Sequence, residues 1–272
     1  MSAGDKELSF WDHLDDLRGV LLKIGITVAT AAILLFIFMK PIFNNIILAP
    51  CRGDFALYRL LDSMGHHDGS MWWPQLGGAG FSVNLINIEL ASQFFTHMTL
   101  SCWLAFVLTF PIIIYLLWTF VKPGLYPHER RGAVRAFAFG NLMFYAGVVT
   151  GYFLVFPLTL RFLADYQLSE QIPNTITLTS YIDNFLVIML LMGAVFELPL
   201  LAWLLGKMGL LTRAFFGKYR RHAIVALLLL AAVITPTGDP FTLFMVFLPI
   251  YLLWEGSALI VPTTSGTNKI SA

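Results

Sequence analysis

Two apolar runs, residues 99–120 and 134–156, flank a short polar connector and limit what this chain can fold into. Each is as long as the ~20 residues a helix needs to cross a bilayer. The connector, residues 122–135, holds Lys122, Arg130, Arg131 and Arg135 against a single anion, Glu129. A carboxylate kept alone among cations at a membrane surface is the feature to explain. Composition agrees with that placement. Of 272 residues, 58% are hydrophobic and 12% are charged, where a soluble domain carries roughly 25% charged residues. The expected fold class is an all-α integral membrane protein. A net charge of +1 gives no expectation of nucleic acid as a partner.

Six transmembrane helices are expected, at 24–39, 99–120, 134–156, 185–205, 223–234 and 241–254, within a single membrane domain, 1–272. Residues 1–23 read as a cytoplasmic amphipathic segment with Phe10, Leu14, Leu17 and Leu21 on one helical face, not as a cleavable signal. Pro111 should kink the second span, and Pro157 should close the third. The last two apolar runs cover only about 18–21 Å at 1.5 Å per residue, less than the ~30 Å hydrocarbon thickness. They read either as two short helices in a thinned bilayer or as a re-entrant hairpin. Between the first two spans, residues 62–80 form a Gly-rich insertion. His66, His67 and Asp68 lie there but lack ligand spacing, so no metal site is expected. Cys51 and Cys102 read as two unpaired thiols. No internal repeat is visible, and nothing calls for a cofactor.

The cations set the expected orientation. Lys6, Arg18, Lys23, Lys122, Arg130, Arg131, Arg135, Lys207, Arg213, Lys218, Arg220, Arg221 and Lys269 fall on one side of the six spans. Lys40, Arg52, Arg59 and Arg161 fall on the other. The positive-inside rule therefore expects both termini in the cytoplasm.

Three groups of acids are candidate functional residues. Asp12, Asp15 and Asp16 either complement a helix dipole on a solvated face or contact a ligand. Glu197, in Phe196-Glu197-Leu198-Pro199, lies inside the fourth span, where an ionisable group is costly and marks a functional site by default. The alternative is a structural polar plug between helices. Asp239, between Pro236 and Pro240, either caps the last helix or meets a partner; the two are compatible.

Five motifs now stand in order: HLDDLR (13–18), FPIIIYLLWTFVKPGLYPHERR (110–131), FELP (196–199), TPTGDP (235–240) and LPIYLLWE (248–255). On six spans of this orientation, they make the chain resemble the TatC family, the receptor and core subunit of the twin-arginine protein translocase. The resemblance implies a multi-pass protein of the bacterial cytoplasmic membrane with no catalytic chemistry. It implies binding of signal peptides with a consecutive arginine pair on folded precursors. It further implies TatA-type and TatB-type single-span partners, a homo-oligomer in the receptor complex, and transport driven by the protonmotive force. By that resemblance Glu129 and Asp16 contact the arginine pair, with Arg130 and Arg131 beside them. Leu17, Arg18, Pro50, Phe120, Pro123 and Tyr126 are tied to signal binding or function, and Glu197 and Asp239 to the single-span partners. The chain departs from the family where Asp16 replaces a usual glutamate, where Thr242 precedes Leu243 instead of glutamine, and in its longer outer loop.

The chemistry fits. A guanidinium is a planar fork that a carboxylate matches bidentately, so two arginines call for two acceptors. An exposed ion pair contributes only about 0–1 kcal/mol. Selective binding needs partial desolvation, where losing one partner of a buried pair costs about 3–5 kcal/mol. Arg130 and Arg131 hold Glu129 ionised but also compete for it, and an internal Glu–Arg pair is the bland alternative. The rival function, a six-helix small-molecule or ion transporter, would place polar residues in several spans. An enzyme using His128 and Glu129 lacks a nucleophile, metal set or phosphate cradle.

Overall fold

The computed structural model describes residues 10–65, 80–122, 127–167, 169, 171, 174–207, 209–235 and 238–261. Among them the chain is almost wholly helical, with one two-residue parallel strand pair, β1 (Leu85–Ile86) and β2 (Ile176–Thr177). Five stretches are long and apolar enough to cross a membrane: Asp15–Cys51, Ser92–Val121, Val134–Asp165, Leu178–Lys207 and Pro240–Ile260. The contacts divide into two units, Met1–Lys40 with His97–Asn141, and Pro41–Thr96 with Leu142–Ala272.

In the first unit, helix α1 (Phe10–Ile42) joins the amphipathic segment and the first span without a break, because no proline or cap interrupts it before Pro41. Its apolar side chains face outward: Ile26 is 66% exposed and Ile37 68%. In water that would be untenable; in hydrocarbon it costs nothing. Ser92–Val121 forms α3, following α2 (Ala56–Gly65), and the two long helices touch where His97 stacks on Phe36 at 3.9 Å. His97 Nε2 donates to the Phe36 carbonyl at 2.8 Å. Helix α4 begins at Pro127, so His128 to Arg131 are helical residues and the connector is shorter than its polar run suggests. The reason is local: proline is favoured at the first helical position, and Glu and Arg are good helix formers.

In the second unit, α4 continues to Thr150, then widens into a π-helical turn, Gly151–Val155, before α5 (Phe156–Asp165). Pro157 therefore does not close the third span. The wide turn just before it accommodates the missing N–H, and the helix runs on. Helices α6 (Leu178–Val195) and α7 (Leu198–Lys207) share the fourth span and are separated at Phe196 and Glu197, as Pro199 leads one to expect. Helix α8 (Arg213–Ile234) and α9 (Pro240–Ile260) follow. At 21 residues α9 is about 31 Å long, beyond its apolar run, because Gly256-Ser-Ala continues the helix. The apolar part of α8, 223–234, is the short one, since its first half is cationic.

Close approach of α4 and α6 depends on two glycines. A Cβ on Gly147 would strike the Met192 carbonyl and lie 2.8 Å from Phe196 Cβ, and one on Gly193 would lie 2.8 Å from the Phe144 ring. In the connector 41–96, Tyr58 is fully buried among Phe55 and Phe81, and its hydroxyl lies 3.0 Å from the carbonyl oxygens of both Pro50 and Pro157. Burial pushes its phenol well above the usual range, so it stays a donor at any physiological pH.

Gly147→Ala should lower the thermal stability of the detergent-purified protein by about 1–3 kcal/mol through overpacking. Gly256→Ala, where an added Cβ meets nothing within 4 Å, should not lower it. Tyr58→Phe removes a buried donor shared by the Pro50 and Pro157 carbonyls and should cost about 1–3 kcal/mol, seen as a lower Tm.

Candidate functional site

The first unit carries the residues expected to meet an arginine pair. Asp15 and Asp16 are exposed near the start of α1, beside half-buried Leu17 and exposed Arg18. From there an open groove of about 600 Å³ follows the helix, lined by Leu17, Arg18, Leu21, Leu22, Gly25, Ile26 and Ala29. At Gly25 the surface is open, since a Cβ there would meet nothing within 4 Å. The groove was not legible in the sequence, although a glycine among leucines on an exposed helix face is its signal.

Glu129 is the third residue of α4, after Pro127 and His128, and so falls in the first turn. The unpaired N–H groups and dipole of a helix start favour a carboxylate there. Its side chain, that of Arg131, and residues Pro123 and Tyr126 lie outside the described residues. Arg130 is half-buried and has an interaction partner of its own. Phe120 is half-buried near the end of α3, and close to it Trp118 packs edge-on to Phe137 of α4 at 5.3 Å. That contact ties the two helices flanking the connector.

The second unit carries the other candidates. Pro50 is buried and gives its carbonyl to Tyr58, so its observed part is to fix the 41–96 connector. Glu197 is half-buried at the α6–α7 break, and its Oε1 is enclosed with no hydrogen-bond partner among the described residues. Around it, Phe196 N–H donates to Met192 O at 3.0 Å and Glu197 N–H to Ala194 O at 3.1 Å, so the break is a tightened turn and not an unravelled one. Asp239 caps α9: its Oδ1 accepts from Thr242 N–H at 2.7 Å. Thr242 is itself fully buried, with its hydroxyl lacking a partner among the described residues.

One cluster has no counterpart in the sequence reading. Arg220 on α8 donates to Glu255 Oε2 at 2.6 Å, and the Tyr251 hydroxyl donates to Oε1 at 2.8 Å. The Glu255 carboxylate raises the Arg220 pKa, by hydrogen bond first and charge second. An acid in an apolar run calls for a cation, but its partner stands 35 residues away and sequence spacing does not choose it among five.

Comparison with known proteins follows these observations closely. Residues 12–249 match the family model described as Sec-independent protein translocase protein (TatC). A protein so named from Blattabacterium sp. subsp. Periplaneta americana is 31% identical over 267 residues, 96% of this chain and 97% of the relative. One from Deinococcus radiodurans is 30% identical, covering 90% of this chain and 82% of the relative. A crystal structure of the twin-arginine translocase receptor TatC in DDM superposes with a TM-score of 0.69 at 26% identity, covering 91% of this chain and 98% of that one. With a match that runs from the start of α1 to the middle of α9, the chain belongs to the TatC family.

Proposed function

We propose that this protein is the core subunit of a twin-arginine translocase, a receptor for signal peptides of folded precursors in the bacterial cytoplasmic membrane. What supports the site reading is that two acids belong to one unit: Asp16, exposed on α1, and Glu129, in the first turn of α4. Two carboxylates on two helices suit two guanidiniums on one peptide. Leu17, Arg18, Phe120, Pro123, Tyr126, Arg130 and Arg131 belong to the same reading. A signal peptide carries an apolar segment of roughly 7–15 residues. The open apolar surface of α1 from Leu17 to Ala29 is about 18 Å long, which matches a helical segment of that size in length.

Six spans with both termini in the cytoplasm are the arrangement in which the basic connectors share one side. TatA-type and TatB-type subunits, a homo-oligomeric receptor complex and the protonmotive force complete the proposal. Glu197 supports it as a partner contact: an enclosed carboxyl oxygen inside an apolar span wants a polar group that this chain does not supply among its described residues. No catalytic step is required.

Glu129→Gln should reduce crosslinking of a twin-arginine peptide at least tenfold while membrane insertion is unchanged. Wild-type crosslinking by that variant, or equal crosslinking of a twin-lysine peptide to the native protein, rules the assignment out. Glu197→Ala should keep peptide crosslinking and lose transport of a folded precursor. Loss of both, or of neither, contradicts the separation of roles.

A further inference from the structure

The first half of α8 is an exposed basic surface to which the receptor reading gives no role. From 207 to 234 the chain has no Asp or Glu and carries Lys207, Arg213, Lys218, Arg220 and Arg221. Arg220 is committed to Glu255, on the side where Phe216, Ala223 and Leu227 are buried. Arg213 stands two turns before Arg220 at the edge of that side, while Lys218 and Arg221 turn away from it. Arg213, Gly217 and Arg221 follow at four-residue steps and so share one helical face, with Lys218 at its flank. All three cations are exposed, and none has an ion pair among the described residues. Between the two arginines a Cβ on Gly217 would meet nothing within 4 Å, which leaves a notch open to the backbone.

Aromatic rings border the surface. The Lys218 ammonium lies 5.6 Å from the Tyr219 ring centre, Phe215 and Tyr219 are 4.6 Å apart, and on α7 Lys207 lies 4.2 Å over Trp203. Lysines laid along an exposed Tyr ring and a half-buried Trp ring, beside an apolar helix end, are the side chains found at headgroup level.

We propose that Arg213, Lys218 and Arg221, across the gap at Gly217, bind the phosphate of an anionic phospholipid. Two guanidinium forks match phosphate oxygens, and the ammonium adds a point charge. The acyl chains then follow the apolar part of α8, 223–234, whose Val225, Leu229 and Val233 are exposed. An acidic protein segment would satisfy the charge but would leave that apolar continuation unused. Assigning the lipid to the inner leaflet rests on the orientation proposed above; the phosphate contact does not.

The test uses the full chain purified in detergent, titrated with phosphatidylglycerol or phosphatidylcholine and read by native mass spectrometry. Each single substitution Arg213→Gln, Lys218→Gln or Arg221→Gln should lower phosphatidylglycerol retention about fivefold, and the triple variant roughly a hundredfold. Phosphatidylcholine retention should not move, and Arg59→Gln, on α2, should change neither. Undiminished phosphatidylglycerol retention in the single variants, or an equal loss in Arg59→Gln, overturns the proposal. So does lipid-free binding of polyglutamate that depends on the same three residues without any preference between the lipids. Crosslinking of a twin-arginine peptide, measured on the same variants, should be unchanged, which separates failure of this inference from failure of the receptor reading.

Discussion

In hydrocarbon no water relieves a backbone carbonyl, and that single constraint shapes where this chain leaves regular helix. Departures from the α form need donors brought from elsewhere. The π-helical turn Phe43–Ile47 is the clearest case. The Tyr152 hydroxyl donates to Ile46 O at 2.8 Å and the Tyr181 hydroxyl to Ile47 O at 2.5 Å, from positions 106 and 134 residues away. The Tyr58 hydroxyl serves the 3-10 turn at Pro50 and also reaches the carbonyl of Pro157 in α5. Three tyrosines thus stabilise two irregular stretches and fasten them to one another. A phenol suits this role because its ring packs like Phe while its tip donates one hydrogen bond.

Much of the helical order was legible because it depends on local chemistry. Apolar run length pointed to the five stretches that are long and apolar enough to cross a membrane, and Pro199 located the α6–α7 break within two residues. Asp239 was readable as a cap from its position before Pro240 and the apolar run. What failed did so for two physical reasons. Pro157 reads as a terminator, since nothing in sequence announces a π turn that spares its missing N–H. The tyrosine–carbonyl bonds and the Arg220–Glu255 pair were invisible because they join residues far apart in the chain. The connector was over-drawn for a different reason: polarity suggested loop, whereas Pro127 and the residues after it favour a helix start.

Charge is apportioned between the ends of helices in a way that makes one receptor surface and one basic surface compatible. Of the acids read as arginine-binding, Glu129 falls in the first turn of α4, where a helix start favours an anion, whereas Asp16 lies seven residues into α1 on its exposed side. The α8 cations are kept from local neutralisation by sequence itself: no acid occurs from 207 to 234, and the arginine that is paired, Arg220, reaches Glu255 on α9. A peptide bearing two arginines would be repelled by α8 and drawn to the acids. Opposite-sign ligands therefore need not compete for one site.

Glu197 and Asp239 invite the same description, yet their surroundings separate them. Asp239 Oδ1 already accepts from Thr242 N–H, which gives it a structural role even without a partner. Glu197 caps nothing. Its Oε1 is enclosed and without a partner among the described residues, and Pro199 withholds an N–H from the Val195 carbonyl beside it. An enclosed carboxyl oxygen without a partner among the described residues, in a span whose neighbours are Phe and Leu, is a polar spot that costs free energy until a donor arrives. A single-span helix bringing one hydroxyl or amide would relieve that cost, and an apolar helix would not. The discrimination would then reside in the hydrogen bond, with shape complementarity left to the surrounding side chains.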